Sequence, residues 1–137
     1  MINMPRDYKL FMIQYEPAPD IENRVRRVAH KLGFDHIDLS RVACVRSRGS
    51  KTRYTIARCH ALGKIWQKAI GIKAHYVIEV ISEKFDSIGF EEQTKVIIHE
   101  LMHIPHTFGG GFRHHKPYVN RQTVEMAYRK YKSLEQL

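Results

Sequence analysis

The segment His99-Glu100-Leu101-Met102-His103 constrains the chain more than any other, because histidines four residues apart lie over one another only on an α-helix. The flanking residues agree with helix. Glu91 and Glu92 suit the positive end of a helix dipole, Val96, Ile97, Ile98, Leu101 and Met102 supply apolar residues, and Pro105 stops the run. On such a helix both imidazoles reach one ion, at a Zn–N distance of about 2.0–2.1 Å. Glu100 is rotated by about one step of the 3.6-residue turn, so it reaches a water at the ion rather than the ion itself. Metal-assisted hydrolysis needs this arrangement: the ion acidifies water and polarises a carbonyl, while the carboxylate acts as general base and then general acid.

A catalytic zinc normally takes three protein ligands and keeps an open position. The chain has nine histidines, and His99, His103, His106, His114 and His115 fall in one short segment. His106 lies beyond Pro105, and a continued helix would carry it about 10.5 Å along the axis from His99, too far to share an ion. The run Gly109-Gly110-Gly111 instead lets the chain reverse, returning His114 or His115 to the open side. Neighbouring side chains point apart, so one of the two binds.

A length of 137 residues suits one domain, residues 1–137. Apolar residues at 43% and charged residues at 27% are enough to build a core rather than a disordered chain. Leu10-Phe11-Met12-Ile13 is far too short for a membrane span and no signal-peptide cleavage site follows it, so the sequence predicts a cytoplasmic protein without membrane contact. Cys44 and Cys59 stand apart, outside any zinc-ribbon spacing.

Residues 1–18 read as a strand or an irregular arm. Ile21, Val25, Val28 and Leu32 form a helical stripe over 20–32, ended by Gly33. Two β-rich runs, Ile37 to Val45 and Tyr54 to Cys59, read as a hairpin. Leu62 to Ile70 reads as a short helix closed by Gly71, with Trp66 packed into the core. Tyr76 to Ile81 is the clearest strand, and a turn at Asp86 to Gly89 leads into the motif-bearing helix. Val124, Ala127, Tyr128, Tyr131 and Leu134 mark a C-terminal helix capped by Asn120. The fold class is therefore α+β: a small mixed sheet with an N-terminal helix, an active-site helix and a C-terminal helix.

The stretch from His99 to Pro105, followed by Phe108, Gly110, Arg113 and His115, resembles the metallopeptidase family found in archaea and phages. Arg46-Ser47-Arg48-Gly49-Ser50, Ala57-Arg58, Ile65-Trp66-Gln67 and Val77-Ile78-Glu79-Val80-Ile81 extend the resemblance over residues 40 to 120. It implies a minimal zincin-like domain, distantly similar to the SprT-like proteases, with Zn2+ on His99, His103 and His115 and Glu100 as the catalytic base. It also implies that the strand before the active helix, Tyr76 to Ile81, borders the cleft and aligns an extended peptide substrate.

The leading function is thus a zinc-dependent metallopeptidase. A formal net charge of +9 adds DNA as a partner, with Arg46, Arg48, Lys51, Arg53 and Arg58 as candidate phosphate contacts. Arg24, Arg26, Arg27 and Lys31 on the N-terminal helix read as a solvated face first and a polyanion site second. The alternative function is a zinc-containing nucleic-acid-binding module or a metal-dependent nuclease. Glu100 discriminates, since a structural zinc has no use for a carboxylate beside its ligands.

Overall fold

The computed structural model describes residues 12–136. The start of the expected arm, residues 1–11, lies outside them. Strand β1 (Gln14–Pro17) leads into helix α1 (Pro19–Lys31), and a 3-10 turn (Leu39–Arg41) precedes β2 (Val42–Arg48). Then come β3 (Ala57–Ala61), α2 (Lys64–Ile70), β4 (Tyr76–Ile81), α3 (Ser82–Phe85), α4 (Phe90–Met102) and α5 (Arg121–Glu135). The fold is α+β, with a mixed sheet ordered β1-β2-β4-β3. The β2–β4 pair is parallel and the other two pairs are antiparallel.

Helix α1 forms as its stripe predicts. Pro19 fits the first turn, Asp20 and Glu22 favour the positive end, Ile21, Val25 and Val28 are buried, and Gly33 follows at φ 66°. Helix α5 begins with a capping box in which Asn120 accepts from the Thr123 N–H and Thr123 accepts from the Asn120 N–H. The core lies between one sheet face, carrying Cys44, Tyr76, Ile78 and Val80, and the apolar sides of α1 and α4. Arg24 of α1 donates to Gln93 Oε1 at 2.7 Å and to Thr94 Oγ1 at 2.9 Å, which ties the two helices together beside that core.

The expected hairpin is absent: β4 lies between β2 and β3. Tyr76, Ile78, Glu79, Val80 and Ile81 are all buried, so this strand presents buried residues on both faces and belongs at the sheet centre, where both backbone edges are paired. A β2–β3 hairpin would have left it an edge. Consequently β4 is not the strand that borders the site; β3 takes that place. The expected strand from Ile37 begins only at Val42, because Asp38 accepts from the Ser40 N–H and winds the 3-10 turn first. Trp66 is not in the core but 59% exposed, since α2 buries none of its own residues. No helix among the described residues is long and apolar enough to cross a membrane.

Candidate metal centre

Burial of Ile97, Ile98 and Leu101 sets the rotation of α4 and turns His99 and His103 to its opposite, open side. His103 follows the last helical residue but keeps right-handed dihedrals, φ −70° and ψ −18°, so it remains one turn from His99. Their Nε2 atoms are 3.2 Å apart. Two nitrogens bound tetrahedrally at about 2.0–2.1 Å from one zinc are separated by about 3.3–3.4 Å, so the pair fits such an ion. His115 completes the cluster: its ring centroid is 4.7 Å from that of His103 and 5.5 Å from that of His99. One ligand nitrogen from each of the three lies within 4.8 Å of the others. Of the two residues that the glycine run could return, His115 faces the helix pair and His114 stands outside the cluster, exposed. His106 points elsewhere and packs against His36, with ring centroids 4.2 Å apart and the planes tilted by 45°.

The reversal that delivers His115 is held at several points. Gly110 adopts φ 103°, and a Cβ there would lie 2.6 Å from Gln67 Nε2 and 2.7 Å from the Leu62 carbonyl oxygen, so only glycine fits. The Tyr76 hydroxyl accepts from the Gly110 N–H at 3.0 Å and donates to the Gly111 carbonyl at 2.8 Å. Gln67 Nε2 donates to the Gly109 carbonyl at 3.1 Å. The Arg113 N–H donates to the His103 carbonyl at 2.7 Å, and His103 Nδ1 donates back to the Arg113 carbonyl at 2.8 Å. A carbonyl only accepts, so this bond fixes the proton on Nδ1 and leaves the Nε2 lone pair facing the cluster. Sequence reasoning missed Tyr76, Gln67 and the Arg113 carbonyl. Only Gly110 carried a signal for this clamp.

Glu100 is 7% exposed, with Oε2 3.8 Å from His99 Nε2. Burial pushes its carboxyl up to about 8, against a weaker hydrogen bond from the Cys59 backbone. Burial first, then the neighbouring imidazoles His103 and His115, pushes His99 down to about 4. His103 is lowered too, again chiefly by burial. Both helix histidines are therefore neutral at pH 7 and offer lone pairs, the protonation state that a metal ligand needs.

Beside this cluster runs the outer side of β3, which no other strand among the described residues pairs. The Ile81 N–H donates to the Ile56 carbonyl and the Leu62 N–H to the His75 carbonyl, both at 2.9 Å. Antiparallel alternation then directs the backbone groups of Arg58 and His60 to β4 and those of Ala57, Cys59 and Ala61 outward. Two depressions of about 600 Å³ and 520 Å³ adjoin along this edge and share Thr55, Ala57, His99 and Glu100. The first is floored by Val96 and Val124, and the second is closed by Phe112, Arg113, His114 and His115.

The arginines singled out for charge are largely engaged. Arg46 donates to Asp20 at 2.5 Å and to Asp86 at 3.2 Å, Arg48 pairs with Glu16 at 3.0 Å, and Arg58 lies 3.9 Å from the buried Glu79. On α1, Arg26 pairs with Glu22, and Arg27 and Lys31 pair with Glu135.

Three converging imidazoles beside a buried carboxyl group, on a groove along the outermost strand of the sheet among the described residues, form a constellation of the metallohydrolase kind. The sequence pattern of the putative phage metallopeptidase family matches residues 13–132, and the chain belongs to that family. No curated protein and no solved structure matches the chain.

Proposed function

We propose that the protein is a zinc-dependent metallopeptidase that holds its ion on His99, His103 and His115 and uses Glu100 as general base. The observation that carries this reading is the convergence of the three ring nitrogens within 4.8 Å of one another, one residue away from a carboxylate buried at the same cleft. Zinc bound there would polarise the scissile carbonyl and acidify a water.

The chain's own residues do the rest. Ala57 and Ala61 offer outward backbone groups on which an extended peptide adds as a further strand, on either side of Cys59, whose backbone hydrogen-bonds Glu100, bringing one peptide bond opposite the cluster. Glu100, in its deprotonated form, takes a proton from the attacking water and passes it to the departing amine nitrogen, so peptide cleavage balances with one water consumed. The Tyr76 clamp and the His103–Arg113 pair of hydrogen bonds hold the third histidine against the helix without further reorganisation. His99, His103 and His115 all line one open depression, through which solvent and substrate reach the cluster.

Incubation of purified protein with an unstructured protein such as casein, with products mapped by mass spectrometry, tests this. New peptide ends should appear with zinc, disappear after chelation and return on zinc addition. No cleavage with stoichiometric zinc bound overturns the reading.

A further inference from the structure

Helix α2 is built unlike the others. Ile65 is 78% exposed, Trp66 59%, Ile70 55% and the following Ile72 43%, while only Gln67 turns inward, to the Leu62 and Gly109 carbonyls. Its outer side is therefore apolar and has no cover among the described residues. Lys64, Lys68 and Lys73 surround it, and none has an ion-pair partner among the described residues, in contrast to the paired arginines of α1 and β2. From Leu62 to Ile78 the sequence contains no acidic residue. An occupant of this surface must bring both apolar groups and negative charge.

The position of α2 narrows the occupant further. It starts two residues beyond Leu62, which still pairs with His75 at the end of the β3 ladder, and Gln67 joins it to the glycine run that presents His115. A peptide laid along β3 that continues past Ala61 reaches this surface. We propose that the α2 surface docks an acidic segment with interspersed apolar side chains and that, granted the peptidase reading, this segment is the flank of the protein substrate outside the cleaved bond. Nucleic acid fits less well, since it offers no aliphatic partner for Ile65, Ile70 and Ile72 and only one aromatic ring is available for base stacking. An anionic bilayer would match the chemistry but not the continuity with the β3 edge.

Trp66 is the only tryptophan of the chain, so its emission reports this surface alone. The experiment titrates full-length, metal-chelated protein with four probes. They are a synthetic peptide of glutamate and leucine, its lysine and leucine counterpart, phosphatidylglycerol–phosphatidylcholine vesicles, and a single-stranded oligonucleotide. The acidic peptide should shift Trp66 emission to the blue, with affinity falling as salt rises from about 50 to about 500 mM. The double variant Lys64→Glu, Lys68→Glu should bind it about tenfold more weakly, and Ile65→Ser should weaken it with circular dichroism unchanged. No shift with the acidic peptide, an equal shift with the lysine peptide, or a shift confined to vesicles or oligonucleotide overturns the proposal. Chelation removes turnover from the readout, so the two ideas fail separately. Casein cleavage without peptide docking leaves the reaction and removes the surface, whereas docking without any cleavage leaves the surface and removes the reaction.

Discussion

Two histidine pairs lie near the end of α4 and have little in common. His99 and His103 stand 3.2 Å apart nitrogen to nitrogen, with a third ring against them and a carboxylate beside them. His36 and His106 also approach closely, with centroids 4.2 Å apart, but their rings lie over one another at 45° and His36 Nε2 donates to the Ile104 carbonyl at 3.1 Å. In the first pair the nitrogens meet; in the second the rings meet at a tilt and His36 Nε2 is spent on backbone. Local density of histidine therefore says little. What separates a candidate metal centre from aromatic packing is whether a second hydrogen bond, here from His103 Nδ1 to Arg113, forces the remaining nitrogen inward.

The largest effect should come from the residue that has no counterpart at the stacked pair. Glu100→Gln keeps the shape and removes proton acceptance, so hydrolysis should fall about 10²–10⁴-fold with zinc content unchanged by elemental analysis; wild-type turnover in that variant would end the role of Glu100. Next, a ligand that binds only the folded state at 100 times its Kd stabilises by about 2.7 kcal/mol, so chelation should lower the thermal midpoint clearly. His115→Ala should abolish that chelator response and His106→Ala should preserve it, with the reverse pattern assigning the ion to the wrong group of histidines. Tyr76→Phe tests the clamp: zinc affinity, read by competition with a chromophoric chelator, should weaken by about tenfold, the lower end for residues that orient ligands.

The smallest effect concerns the stacked pair. Burial, ahead of the His106 charge, holds His36 below its ordinary value near 6.5. The neutral ring is the one that the fold favours, so its contribution is full above pH 6.5 and is lost as pH falls through the lower folded value. His99, at about 4, adds a larger slope of the same sign. His36→Gln should therefore flatten part of the loss in urea midpoint between pH 7 and pH 5, and an unchanged slope would show that the pair is energetically silent.

The helix that carries His99, Glu100 and His103 was legible because its information is local: apolar spacing, acidic residues at the start and a proline at the end. The same holds for α1, for α5 with its Asn120 cap and for Gly71 as the end of α2. Strand order was not legible. Which of β3 and β4 takes the edge depends on what covers the second face of Tyr76 to Ile81, and no local pattern records that. Trp66 was misread because a large aromatic residue has a strong prior for the core, and its neighbours Lys64 and Lys68 do not reveal that the whole helix lies outside. The choice between His114 and His115 was also beyond spacing. It depends on the dihedrals of Phe108 and Gly110 and on a tyrosine hydroxyl more than thirty positions earlier in the chain.

Phe108 has a consequence of its own. It sits at φ 47°, a left-handed conformation that costs a bulky residue on the order of 1–2 kcal/mol. Glycine or asparagine would relieve this, yet neither could fill the buried place against Tyr76, at 4.9 Å between rings, or lie under the Arg41 guanidinium at 4.8 Å. The ring thus works as a spring held compressed by the core. A change that loosens the core near Tyr76 should release the backbone at Phe108 as well, so stabilising variants sought in this loop will trade a relaxed turn against the aim of His115.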